Sequence, residues 1–141
     1  MLRKCLSGVT LLALTFGFGF WAGRETTVDA QSKNRVFELR IATVENKEKL
    51  DVLMNRFRGG EVKIWDRMGM KPVGFWVPTD SPKSENTLVY ILAHEGRKQA
   101  DASWTKFRDD PEWVAFPKTP DLGKVTVDRT FMAPVDFSPM K

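Results

Sequence analysis

The chain has 141 residues, 42% hydrophobic and 28% charged, which fits one globular domain with a short appendage and excludes a disordered tail. Its net charge of +4 is mixed along the chain; removing residues 1–30 takes away Arg3, Lys4 and Arg24 with Glu25 and Asp29, leaving +3, and no Lys/Arg block points to nucleic acid. The one cysteine, Cys5, and one histidine, His94, exclude an internal disulfide framework and a Cys/His zinc site within one chain.

Residues 1–23 read as a targeting segment. Arg3 and Lys4 give it a positive start, and Cys5 to Gly23 carries no charge. That run of about 19 residues is long for a signal peptide and barely long enough to span a bilayer. Val28-Asp29-Ala30 has a cleavage-like pattern. The leader is therefore expected either to be cut after about Ala30 or to stay as a membrane anchor, and the body to be exported to a periplasmic or extracellular space. Residues 24–34 are polar and read as a linker, and the folded domain is expected over 35–137.

Val36 to Thr43 alternates as a strand, with Phe37, Leu39 and Ile41 on one face and Val36, Glu38 and Arg40 on the other. A long helix follows from about Lys47 to Met68, with Asn46 as N-cap. Leu50, Leu53, Met54, Phe57, Ile64, Trp65 and Met68 make its apolar stripe. Gly59-Gly60 interrupts it at roughly 1 kcal/mol per glycine, and Glu61 falls near the middle of the stripe.

Gly69 stops the helix. Lys71 to Val77 reads as the second strand, Pro78 to Asn86 as a loop, and Thr87 to Ala93 as the third strand. A second helix spans about Arg97 to Arg108, with Ala100, Trp104 and Phe107 on one face. Asp110-Pro111 has the form of an N-cap followed by proline, so Glu112 to Phe116 adds a short turn. Lys124 to Met132 is the last strand, and a Pro-containing tail follows.

The order βαββαβ implies a ferredoxin-like α+β fold, a four-stranded antiparallel sheet with both helices on one face. Strand two is apolar on both sides, through Val73, Phe75 and Val77 on one and Trp76 on the other. The chain has no further element to cover the open face, so a second copy is the expected partner, giving a homodimer with two sheets face to face.

With the elements placed, the residues resemble the NIPSNAP family of the dimeric α+β barrels. The resemblance spans about residues 35–137 and rests on VFELRIATV at 36–44, GMKPVGFWVP at 69–78, SENTLVYILAH at 84–94, ADASWTKFRDDPEW at 100–113 and APVDFSP at 133–139. It implies paired ferredoxin-like units with a cavity between sheet and helices. Animal members are mitochondrial proteins linked to trafficking and to marking damaged mitochondria. The wider superfamily includes cofactor-free oxygenases, haem-handling proteins and isomerases. Where relatives often carry a His-containing RFRDH-type run, this chain has Arg56-Phe57-Arg58-Gly59-Gly60. Another position that is often His is Met68 here. Activities needing those histidines are not implied.

The candidate cavity or ligand residues are Glu38, Arg40, Glu61, Trp76, Tyr90 and His94. Glu38 and Arg40 share a strand face about 6.5–7 Å apart; they could orient a polar ligand, form a structural salt bridge or pair across a two-fold axis. His94 is the one side chain whose ordinary pKa lies near neutrality, yet a strand-end histidine more often packs or caps. Glu61 either faces the cavity, where burial would perturb it, or is partly exposed by a bend at the glycines. The many aromatics read first as core and dimer packing. Ser84 and Ser103 carry no nucleophile signature, and Gly17-Phe18-Gly19 lies in the leader. No metal and no cofactor is expected, and no catalytic residue is assigned. The leading functional reading is an exported dimeric domain that binds a small apolar or aromatic molecule. The alternatives are an interaction or adaptor protein at the membrane surface and a cofactor-free enzyme of oxygenase or isomerase type.

Overall fold

A computed structural model describes residues 35–141. The expectations about the leader and linker lie outside the described residues. Among the described residues no helix is long and apolar enough to cross a membrane.

Strand β1 is Val36–Thr43, at its expected bounds. Helix α1, Lys47–Arg56, starts at Asn46, whose side chain accepts a hydrogen bond from the Lys49 amide. It runs into a π-helical turn, Phe57–Glu61, and resumes as α2, Val62–Arg67. The turn sits on the two glycines. Gly60 has φ 140°, a region that side chains other than hydrogen rarely enter. A Cβ there would also lie 3.3 Å from the Phe116 ring, which packs over the turn. The stripe nevertheless continues across it, and Phe57, Glu61, Ile64 and Trp65 are all buried.

Strand β2 is Lys71–Trp76, β3 is Thr87–His94, helix α3 is Arg97–Asp109, the short α4 is Pro111–Ala115, and β4 is Thr126–Met132, two residues later than its expected start. Asp110 caps α4 by accepting from the Glu112 and Trp113 amides, and the Arg67 guanidinium grips its carboxylate at 3.0 and 3.1 Å. That pair ties the end of α2 to α4. Ser103 donates to the Met68 carbonyl at 2.7 Å and closes the same corner.

The four strands form one antiparallel sheet in the order β2-β3-β1-β4. This is the expected ferredoxin-like arrangement, with the helices on one face. Register assigns the two faces. Glu38, Arg40, Ala42, Leu88, Tyr90, Leu92 and His94 share the helix side; Leu39, Ile41, Val89 and Ile91 share the open side. The core lies in the helix–sheet layer, around Leu50, Leu53, Ile64, Trp65, Leu92 and Phe107. On the open side Leu39, Ile41, Val89 and Ile91 are only half-buried.

Strand β2 departs from simple alternation. A bulge between Pro72 and Gly74 makes Val73 an extra residue with no partner on β3. Beyond it Phe75 pairs with Tyr90 on the helix side and Trp76 with Val89 on the open side. Trp76 lies over Gly74, where a Cβ would come within 2.6 Å of the indole.

Candidate functional site

The pleat of β1 sends Glu38 and Arg40 under α3, and β3 brings His94 beside them. Glu38 is fully buried. Its Oε2 accepts from the Trp104 indole N–H at 2.8 Å and lies 2.8 Å from His94 Nε2. Burial alone would raise the Glu38 pKa; the hydrogen bonds from His94 and Trp104 and the Arg40 charge outweigh it and hold the carboxyl below its ordinary value. An ionised carboxylate can only accept, so His94 Nε2 carries the proton in this pair. His94 Nδ1 is buried without a hydrogen-bond partner.

The second carboxylate oxygen, Oε1, makes no hydrogen bond. It lies 3.7 Å from Arg40 Nη1 and 3.9 Å from Arg129 Nε. The Arg40 guanidinium lies over the Trp104 ring at 4.0 Å and beside Tyr90 at 5.9 Å. Its Nε and Nη1 are buried and unpartnered. Trp104 thus does two things, donating its N–H to Glu38 and offering its face to Arg40. The spacing of Ala100, Trp104 and Phe107 placed it on the inner face of a helix, but only register could show which strand residues it meets.

Tyr90 is the middle ring of an aromatic stack, Phe75–Tyr90–Trp65, with centroids 5.7 and 5.5 Å apart and planes 22° and 14° from parallel. Phe57 stands edge-on to all three. Burial pushes the Tyr90 phenol up to about 12.

Glu61 enters the same layer from the π turn. It is buried, its Oε2 has no partner, and burial raises its pKa to about 7 against the weaker pull of Arg56, Lys118 and Arg40. The two interior carboxyls are therefore pushed apart, Glu38 held ionised and Glu61 titrating near neutrality.

Beyond the stack, an apolar cleft of about 490 Å³ opens between α1–α2 and the edge strand β2. Met54, Phe57, Val62, Phe75 and Leu88 line it, and Arg58 and Lys63 add cations. Trp76 and Val77 flank it from β2. Trp76 is 50% exposed and belongs by register to the other side of the sheet, so it does not join the interior group. Among the sequence candidates, then, Glu38, Arg40 and His94 come together, Tyr90 adjoins Arg40, Glu61 feels Arg40 electrostatically, and Trp76 lines the apolar cleft instead. Among the described residues no three His, Cys, Asp or Glu side chains gather to hold a metal ion.

A family model described as NIPSNAP matches residues 37–139. A solved NIPSNAP family protein of unknown function from Agrobacterium tumefaciens is 21% identical, with 77% of this chain and 96% of that chain covered and a TM-score of 0.65. A second NIPSNAP family protein from the same organism is 20% identical over 75% of this chain and 90% of that one, at 0.64. An uncharacterised NIPSNAP domain protein from Burkholderia xenovorans is 19% identical over 74% and 98%, at 0.61. At these identities the similarity shows the fold. No curated protein matches the chain.

Proposed function

This chain belongs to the NIPSNAP family, and from that premise we propose that it is an exported, homodimeric domain that binds a small, mostly apolar or aromatic molecule in its helix–sheet layer. One observation carries the reading: the apolar cleft beside β2. Its volume of about 490 Å³ lies within the roughly 300–1,000 Å³ of small-molecule sites. Its walls are Met54, Phe57, Val62, Phe75 and Leu88, and an apolar guest there would leave water for an apolar surface.

The dimer is supported by the open sheet face, where Leu39, Ile41, Val89 and Ile91 are half-buried and Trp76 is half-exposed. A second copy would remove that surface from water. Export is supported by the basic start and the uncharged run of residues 5–23. Light scattering on the full chain should give the dimer mass, and a stable monomer at micromolar concentration would contradict it.

Ligand binding is tested with N-phenyl-1-naphthylamine, a neutral aromatic probe whose fluorescence rises in apolar surroundings. The full chain is expected to bind it, and Val77→Trp, a bulky change at a 37%-exposed position of the cleft, to weaken binding at least tenfold. Equal affinity in the variant would remove the cleft from the account.

A second reading, a cofactor-free enzyme, is favoured by Glu61. A buried, unpartnered carboxyl with a pKa of about 7 is suited to general-base work near neutral pH. Glu38 is a poorer base, since His94, Trp104 and Arg40 stabilise its ionised form.

A further inference from the structure

We propose that the helix-facing side of the sheet also carries a site for a small oxyanion, a carboxylate or phosphate group, held between the guanidinium groups of Arg40 and Arg129. The site lies across the Phe75–Tyr90–Trp65 stack from the apolar cleft and does not depend on the cleft being occupied.

Arg40 and Arg129 are direct cross-strand partners on β1 and β4. Like charges placed opposite each other on one sheet face destabilise it, so something must offset them. The neighbouring acid on β4, Asp128, pairs with Ile41 and so belongs to the other face. On this face the two arginines share a single carboxylate oxygen, Glu38 Oε1, at 3.7 and 3.9 Å, too long for a hydrogen bond from either. Glu38 cannot offer more, because its other oxygen is taken by His94 and Trp104. Arg97, on α3, brings a third cation: its guanidinium lies 3.8 Å from the Phe131 ring centre, with Arg129 at 5.1 Å from the same ring. Arg97 is matched by Asp101 on its own helix.

Arg40 Nε and Nη1 are buried and have no acceptor, a condition that costs free energy unless a partner arrives. Arg40 is fixed by its stacking on Trp104, so its donors are held in place. The Arg129 side chain is 39% exposed, which gives an anion a way in along the β4 edge. A planar or tetrahedral oxyanion would supply the missing acceptors and separate the two like charges.

The test is calorimetric titration of the full chain with benzoate and, separately, with inorganic phosphate, using benzamide as the neutral counterpart. At least one anion is expected to bind and benzamide to fail. Arg129→Met should weaken binding about tenfold or more, and Arg129→Lys, which keeps the charge without the fork, by less. Binding of benzoate alone would point to an organic acid, and of phosphate alone to a phosphate ester. In the unaltered chain the Arg40 Nε–H resonance should shift as the anion saturates, a readout that stands even if Arg129→Met fails to fold. The proposal is overturned if neither anion binds, if benzamide binds as well, if Arg129→Met leaves the affinity unchanged, or if the Arg40 resonance does not move.

Discussion

Glu38 and Glu61 are both buried carboxyls in one helix–sheet layer, yet they are opposites. Glu38 comes from a regular strand and arrives with its partners, His94, Trp104 and Arg40, already placed by register and helix packing. Glu61 comes from an irregular turn of helix and leaves Oε2 with no partner. Burial is common to both; the surroundings decide the charge. A network of donors keeps one ionised below its ordinary value, and an apolar setting lets the other hold its proton to about pH 7. The strand carboxylate is therefore suited to hold structure, and the turn carboxyl to exchange a proton or meet a ligand.

The contrast can be broken first at Glu38. Glu38→Ala would leave the half-buried Arg40 without its counter-charge and two arginines facing each other, and should cost about 3–5 kcal/mol in urea unfolding. A loss under about 1 kcal/mol would mean that the cluster is not structural.

At Glu61 the effect should depend on pH. Its folded pKa of about 7 lies above the ordinary 4.5, so between those values the folded chain holds a proton that the unfolded chain has released. Stability that is full below about pH 4.5 is then lost up to pH 7. Glu61→Gln removes this slope. It should match the parent near pH 4 and exceed it by roughly 3 kcal/mol at pH 8. Parallel stability–pH curves for the two proteins would show that Glu61 titrates normally. Glu38 has the reverse sign: its contribution is full above about 4.5 and is lost as pH falls through its lowered folded value.

The smallest expected change is at the turn. Gly60→Ala forces a side chain into φ 140° and against Phe116, and should cost about 1–3 kcal/mol. An unaffected melting temperature would mean that the turn relaxes to an ordinary helix.

This difference also explains what the sequence could convey. Alternation located β1 at its observed ends, and Asn46 and Asp110-Pro111 announced their helix starts, because those signals are local. The stripe spacing from Leu50 allowed Glu61 an inward position, but the effect of Gly59-Gly60 on the helix was not readable: a π turn is a choice made by packing, here under Phe116. The bulge at Val73 was hidden for the same reason, since it is defined against β3. The direction of the Glu38 face, and with it the meeting of Glu38, His94 and Trp104, depends on which side the helices cover. The facing of Arg40 and Arg129 depends on a pairing between strands that are 83 or more residues apart in sequence, which no local pattern reports.

Whether the helix–sheet layer holds a small molecule can be read from the mass of the native protein. A native mass spectrum of the purified full chain tests it most directly. The expected result is a dimer carrying an extra small mass that is released when the protein is denatured, and that Val77→Trp reduces. A spectrum showing only bare protein, in a chain that also fails to bind N-phenyl-1-naphthylamine, would contradict it.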